Sequence, residues 1–145
     1  MAEKFKFSIN VKPSSEHEFG STGLVYDLTY FVWARQAYVA YTRHLGDVAP
    51  PNSRATPLRM EAVYTTPLLM TEEAKVYFRT TKIGRSSITQ EAQINEAASE
   101  RPVATITAVG VSVDTQTGRS VPISEENKQT VIDFEGKENV EIGGR

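Results

Sequence analysis

The sequence has no cysteine and only two histidines among its 145 residues. Without cysteine the chain has no disulfide, no thiol nucleophile and no thiolate ligand for a metal. His17 and His44 have no partner at a spacing typical of zinc sites, so we expect no metal centre. Nothing in the composition calls for another resident cofactor.

Long apolar runs and a surplus of charge are lacking as well. No stretch approaches the roughly 20 apolar residues that span a bilayer, and the charges between Met1 and Lys6 do not fit a signal peptide. The net charge is -2, with Lys and Arg scattered along the chain, which argues against a nucleic-acid surface. We expect a cytoplasmic protein without membrane or nucleic-acid partners.

What is present fits one domain over residues 1–145, since 39% of the residues are hydrophobic and a chain of this length buries one ordinary core. Alternating apolar and polar residues from Phe5 to Val11 predict a first strand. A nearly uninterrupted apolar run from Leu24 to Tyr41, ended by Gly46, predicts a helix with little polar face, largely buried in the core.

The second half of the sequence is dominated by strand patterns. Pro50, Pro51 and Pro57 predict a loop over 47–57. Alternation then predicts strands over Leu58–Tyr64 and Val103–Val113, and between them Ala74–Ile83 and Ser86–Ile94 are predicted to form two strands joined near Gly84. Ser124 before two glutamates predicts a helix N-cap, with the helix ending near Gly136 and a frayed tail over 136–145. A helix apolar on nearly all sides has to be covered, so we predict an α+β fold with a curved antiparallel sheet of about five strands around one long central helix.

Four segments in order carry a family resemblance: Gly23–Trp33, Val63–Pro67, Lys82–Ser87 and Val113–Pro122. Together they make residues 5–130 resemble the hotdog-fold acyl-CoA thioesterases of the 4-hydroxybenzoyl-CoA type. The resemblance implies a hotdog fold, a homodimer or homotetramer with active sites shared between subunits, and hydrolysis of a thioester whose coenzyme A belongs to the substrate.

The family's catalytic Asp stands three residues before the helix-opening glycine, and Gly20 occupies that position here. The loop is about three residues longer than usual, so a displaced carboxylate takes the role by resemblance. Glu18 is the first choice, with Asp27 and Glu16 as alternatives. The resemblance also assigns the NH of Asp27 to polarise the thioester carbonyl and Gly23 to open the helix, although Gly23 serves equally well as a simple helix entry.

Substrate-binding residues follow from the same segments. Tyr26 and Tyr30 have near-helical spacing with Trp33, which usually indicates core packing, and they are also candidates for an acyl pocket. The turn that contains Lys82, Arg85, Ser86 and Ser87 offers charges and hydroxyls to the phosphates of coenzyme A. A solvated hairpin end explains that turn equally well.

Three other functions remain open at this stage. One is release of a product from an acyl-carrier protein, because Gly23, Tyr26 and Tyr30 also resemble the polyketide-associated thioesterases that lack the usual acid. Another is a non-catalytic acyl-CoA binding protein, favoured by Gly20. A dehydratase that pairs His17 with Asp27 is disfavoured by the short spacing. The acyl group is not determined by the sequence.

Overall fold

The structure of the chain, a computed structural model, describes residues 4–46 and 52–143. Within these ranges the chain forms six strands and two α-helices, with 3-10 turns at Ser15–His17 and Lys137–Asn139. In chain order they are β1 (Ser8–Val11), α1 (Thr29–Leu45), β2 (Ser53–Tyr64), β3 (Ala74–Ile83), β4 (Ser87–Glu96), β5 (Pro102–Asp114), α2 (Glu125–Glu135) and β6 (Glu141–Ile142).

The strands form one sheet in the order β1-β3-β4-β5-β2, with β6 beside β3. Strands β3, β4 and β5 follow one another both along the chain and across the sheet, as expected for short connections. Strand β1 joins β3 in antiparallel register, with Ile9 opposite Val76. The predicted sheet of about five strands is confirmed and extended by a sixth.

Most strand predictions agree with the structure, and the loop over 47–57 is the exception. Strand β3 has the predicted bounds, whereas β2 begins at Ser53 and includes Pro57. The prolines Pro50 and Pro51 lie outside the described residues. A proline is tolerated in β2 because this strand ends the sheet order and so has a free edge.

Helix α1 begins at Thr29, five residues later than the start of the apolar run at Leu24. Its buried residues recur every three or four positions, at Tyr30, Trp33, Ala37 and Tyr41, so they form one face of the helix. Val32, on another face, is half-exposed. The prediction of a helix that is buried on nearly all sides is therefore wrong, because α1 has one buried face and one exposed face.

By its internal contacts the chain divides into two compact units, and the first consists of Met1–Tyr41, Ala62–Phe78 and Ala92–Ile106. Its core includes Trp33 and Tyr41, both about 1% exposed. The Tyr41 ring contacts the Phe78 ring at 5.0 Å and lies edge-on to Phe7 at 5.6 Å. Aromatic packing against β3 thus fixes the helix within this unit.

The second unit consists of Thr42–Glu61, Arg79–Glu91 and Thr107–Arg145. Its core cluster contains Ile83, Val131 and Val140. Helix α2 begins as predicted, because the Ser124 hydroxyl accepts a hydrogen bond from the Asn127 NH at 3.1 Å.

The expectation of a frayed tail over 136–145 is wrong for its described part. Strand β6 runs parallel to β3, with Ile142 opposite Ile83, and the Gly143 NH donates to the Ile83 carbonyl at 2.8 Å. Val140 is buried, and burial of this side chain offsets the entropy that a free tail would retain. Among the described residues, no helix has the length and apolar character that crossing a membrane requires.

Candidate active site

The segment before α1 is a small hairpin rather than the first turn of the helix. The Phe19 NH donates to the Leu24 carbonyl at 2.9 Å, and the Tyr26 NH donates to the His17 carbonyl at 2.6 Å. On its other side, the Val25 NH donates to the carbonyl of Leu68 at 2.9 Å. The NH groups of Val25 and Tyr26 thus donate to strand partners and are not available to a ligand.

Two glycines allow the tip of this hairpin to turn. Gly20 and Gly23 have φ angles of +60° and +76°, a region that glycine enters without steric cost. A Cβ at either position would meet no atom within 4 Å. Gly20, which holds the place of the family's acid, is therefore an exposed turn residue, and Gly23 serves the hairpin rather than opening the helix directly.

Glu18 lies on the first arm of the hairpin and is half-buried. It stands directly opposite Val25 in antiparallel pairing, so the two side chains project from the same face. One carboxylate oxygen, Oε2, accepts the Gly23 NH at 2.8 Å. Among the described residues no partner is found for Oε1, which leaves one oxygen of a positioned carboxylate for other chemistry.

Asp27 stands in the turn that leads into α1. The Thr29 NH donates to the Tyr26 carbonyl at 2.9 Å and closes this turn. No acceptor for the NH of Asp27 is found in the described parts of the chain. The Asp27 carbonyl accepts the Tyr64 hydroxyl at 3.2 Å, which anchors the helix entrance to the end of β2.

A cavity of about 260 Å³ opens beside this turn. Its wall combines aromatic and apolar surface with a few hydroxyl and carboxyl groups, which is typical of sites for small organic groups. The lining residues are Val25, Asp27, Tyr30, Tyr64, Thr65, Thr66 and Pro67.

Two tyrosines of this wall differ in depth. Tyr30 is 3% exposed and its hydroxyl oxygen accepts the Leu68 NH at 3.2 Å. Tyr64 is 47% exposed. Burial raises the pKa of Tyr30 above its ordinary value, and desolvation together with the Asp27 charge raises the pKa of Tyr64. Both phenols therefore stay protonated at neutral pH.

Arg101 fixes the loop that forms the far side of the cavity. Its guanidinium makes two hydrogen bonds to Glu72, at 3.0 and 2.8 Å, and donates to the hydroxyl of Thr66 at 3.2 Å and the carbonyl of Pro67 at 3.1 Å. Glu72 also accepts the Leu69 NH at 2.9 Å. This charge-assisted fork holds residues 66–72 in one conformation.

Comparison with known proteins places this chain in a family. The model of the Thioesterase-like superfamily matches residues 20–131. The chain belongs to the thioesterase-like superfamily. No curated protein matches it.

Solved structures show that the fold of this superfamily member is the hotdog fold. A thioesterase from Thermus thermophilus, complexed with coenzyme A and Zn, is 22% identical, covers 92% of this chain and 97% of its own, and has a TM-score of 0.79. The 1,4-dihydroxy-2-naphthoyl-CoA thioesterase Slr0204 from Synechocystis is 13% identical over 88% and 96%, with a TM-score of 0.77. SAV2348 from Staphylococcus aureus, in complex with CoA, is 12% identical over 92% and 85%, with a TM-score of 0.80.

Other sequence candidates have structural partners in this thioesterase-like chain. The Nδ1 atom of His17 accepts the Ser14 NH at 3.0 Å and its ring lies edge-on to Trp33 at 5.7 Å. Glu16 accepts the Ser14 hydroxyl at 2.9 Å. Tyr26 is exposed and stacks on Phe19 at 5.6 Å, away from the cavity lining. Each of these side chains thus has a local contact within the chain.

The predicted phosphate-binding turn belongs to the second unit and is held by three backbone hydrogen bonds. The Gly84 NH donates to the Ser87 carbonyl, the Ser112 NH to the Ser86 carbonyl, and the Ile123 NH to the Arg85 carbonyl, each at 2.8 Å. The Arg85 side chain is exposed. Lys82 is paired with Glu141 at 3.7 Å across exposed surface. No cluster suited to a metal ion is found in residues 4–46 and 52–143.

Sequence reasoning located Asp27 and Tyr30 at the cavity but did not assign the opposite wall. Tyr64, Thr65 and Thr66 belong to the segment Val63–Pro67 that carried part of the resemblance, and that motif was the available signal. Nothing in the sequence indicated the role of Arg101, because its partner Glu72 lies 29 residues away.

The contribution of the Glu72–Arg101 pair to stability is tested by replacing Glu72 and measuring unfolding at several pH values. Arg101 lowers the pKa of Glu72 below its ordinary value of 4.5, so the pair stabilises the fold above that pH and is lost as pH falls through the lower folded value. Glu72→Gln should lower the free energy of unfolding by about 1 kcal/mol at pH 7, a figure that allows for solvent screening. The difference from wild type should shrink in urea titrations as pH falls below 4.5.

The neighbouring Glu73 provides the control for this experiment, since no ion pair of Glu73 is found among the described residues. Glu73→Gln should leave stability unchanged at both neutral and acid pH. Equal effects of the two variants, or a Glu72→Gln effect that does not shrink as pH falls below 4.5, would contradict this role of the Glu72–Arg101 pair.

Proposed function

We propose that this protein hydrolyses acyl-CoA thioesters, in the manner of the 4-hydroxybenzoyl-CoA type. The observation that carries the proposal is the cavity bounded by Asp27, whose NH has no acceptor among the described residues, beside a hairpin that holds the Glu18 carboxylate. A donor for the developing negative charge and a base for water are the two groups that thioester hydrolysis needs. The resemblance of the fold to a thioesterase solved with coenzyme A, and to the hypothetical protein SAV2348 solved with CoA, supports the same reaction.

In the proposed mechanism the thioester carbonyl oxygen accepts the NH of Asp27. Glu18 Oε1 takes a proton from water while the water oxygen bonds to the carbonyl carbon. The tetrahedral intermediate then collapses, the carbon–sulfur bond breaks, and the coenzyme A thiolate takes up the proton. The products are a carboxylic acid and free coenzyme A. Gly23 contributes through its NH, which orients the carboxylate.

Asp27 is the alternative base. Its side chain is exposed and the residue lines the cavity, whereas Glu18 is linked to the cavity through its pairing with Val25. In the nucleophilic route Glu18 Oε1 instead bonds to the carbonyl carbon and the carbon–sulfur bond breaks, which leaves a mixed anhydride and the thiolate. Water then hydrolyses the anhydride to the carboxylic acid and the free Glu18 carboxylate, and the proton released goes to the thiolate.

The turn at Lys82–Ser87 is proposed to bind the phosphates of the coenzyme A part of the substrate. Its three backbone hydrogen bonds fix the loop, and the guanidinium of Arg85 is exposed and forms no salt bridge within the described residues. A planar guanidinium suits bidentate contact with a phosphate. Ser86 and Ser87 add hydroxyl donors, and Lys82 adds charge.

A homodimer or homotetramer is proposed as the functional form. Strand β2 ends the sheet order and carries Leu58 and Val63, which are 65% and 61% exposed. An unpaired edge strand with exposed apolar side chains is a template for another strand. A second copy of the chain there would complete the sheet.

The carboxylates are tested by paired substitutions. Glu18→Gln keeps an oxygen that accepts the Gly23 NH but removes the base, so kcat should fall by about 10²-fold to 10⁴-fold with KM and thermal stability nearly unchanged. Thiol release measures the rate. Glu16→Gln, on the same loop, is the control and should retain activity. A loss confined to Asp27→Asn would assign the base to Asp27 instead.

The identity of the acyl donor is tested by comparing an acyl-CoA with a thioester of the same acyl group and pantetheine, which lacks the nucleotide. Arg85→Ala should raise KM for the acyl-CoA by about 10-fold, leave kcat unchanged and have no effect on the pantetheine thioester. Lys128→Ala, on helix α2, is the charge-matched control. Equal kinetics with both donors would favour a carrier-protein substrate, and no thiol release from any thioester would favour a binding protein.

The oligomer is tested by light scattering. Wild-type protein should have two or four times the mass of one chain at micromolar concentration. Leu58→Lys should shift it toward the monomer, because a lysine on an edge strand opposes pairing but is harmless in solvent. A wild-type monomer would contradict a shared active site.

A further inference from the structure

Loop 66–72 pairs with the hairpin that precedes α1. The Val25 NH donates to the Leu68 carbonyl at 2.9 Å, and the Met70 NH donates to the Gly23 carbonyl at 2.8 Å. Between these two hydrogen bonds the two segments form an antiparallel bridge. The position of the loop therefore sets the position of this arm of the hairpin.

Gly23 is the residue through which this pairing reaches a carboxylate. Its carbonyl accepts the Met70 NH, and its own NH donates to Glu18 Oε2 at 2.8 Å. A glycine has no side chain to hold it, and its backbone rotates more freely than that of any other residue. The two hydrogen bonds therefore set the direction of the Gly23 NH, and with it the direction of the carboxylate.

Arg101 holds both ends of the same loop. At the start of the loop its guanidinium donates to the Thr66 hydroxyl at 3.2 Å and the Pro67 carbonyl at 3.1 Å, and at the end it bonds the Glu72 carboxylate at 3.0 and 2.8 Å. The middle of the loop pairs with the hairpin. Arg101 is not among the residues that line the cavity, so we expect it to act on the reaction through the loop rather than by contact with the substrate.

We propose that Arg101 is a positioning residue that holds the Glu18 carboxylate in place through loop 66–72 and the Gly23 NH. This inference rests on the proposed thioesterase function with Glu18 as the base. Loss of the guanidinium releases both ends of the loop, so the Gly23 NH no longer has one fixed direction. A displacement of about 1 Å between a base and the reacting atoms costs on the order of 10²-fold in rate.

A double-mutant cycle with Glu18 tests this role. Arg101→Met keeps most of the side-chain length but removes the charge and the hydrogen-bond donors, and it should lower kcat by about 10-fold to 10²-fold. In the Glu18→Gln background, where the base is already absent, the same change should lower the residual kcat by less than about 3-fold. Thiol release measures both rates.

Arg79→Met is the matched control, because Arg79 also pairs with a carboxylate, that of Glu91 at 2.6 Å. This pair joins β3 to β4, so any loss from Arg79→Met should be equal in both backgrounds. Equal losses from Arg101→Met in both backgrounds, or an unchanged kcat, would overturn the proposal while leaving thioester hydrolysis intact.

Amide hydrogen exchange tests the same link without substrate. The NH groups of Gly23 and Met70 should exchange faster in Arg101→Met than in the wild type, by at least about 10-fold relative to a reference NH. The reference is the Phe78 NH, which donates to the Phe7 carbonyl within the sheet at 3.0 Å and reports a general loss of stability. A Gly23 rate that rises no more than that of Phe78 would overturn the proposal.

The two measurements separate the claims. If no thioester is hydrolysed, the proposed function fails, and the exchange rates alone decide whether Arg101 holds the Gly23 NH. If Arg101→Met does not fold, Arg101→Lys replaces it with the same expectations in kinetics and in exchange. A lysine keeps the charge but lacks the planar fork that bonds both ends of the loop.

Discussion

The pairing of Leu24–Tyr26 between two neighbouring segments determines the geometry of the whole site. Hydrogen bonds to His17 and Phe19 on one side and to Leu68 on the other hold these residues extended. Helix α1 is thereby delayed to Thr29. The delay places Asp27 in a turn outside the regular hydrogen-bonding of both strand and helix, which is why its NH is left over beside a cavity.

The strand-rich half of the chain could be predicted well from its sequence. A period of two along Ala74–Ile83 and Val103–Val113 requires no knowledge of distant contacts, because alternation alone defines the buried face. Ser124 likewise predicts the start of α2, because its hydroxyl accepts a hydrogen bond from the NH of Asn127, a near neighbour in the sequence. Such features depend on residues near one another in the sequence.

The helix start could not be predicted in the same way. Leu24 and Val25 are apolar, and apolarity suits a strand paired with Leu68 as well as a helix facing a core; only the contact across 43 residues with Leu68 decides between them. The same holds for the tail, because Val140 packs with Ile83 and Ile142 pairs with Ile83, a residue of β3 that is distant in the sequence. The cavity wall opposite Tyr30 depends on Arg101, whose partners are also distant.

The Arg101 fork has a thermodynamic consequence for molecular recognition. Since residues 66–72 are already held by Glu72 and by backbone contacts, the wall loses little conformational freedom when a molecule enters. A molecule that matches the cavity therefore keeps most of its contact energy as affinity. A molecule that does not match would have to distort this loop at a cost in free energy, so the cavity favours molecules that fit the shape it already has in the free protein.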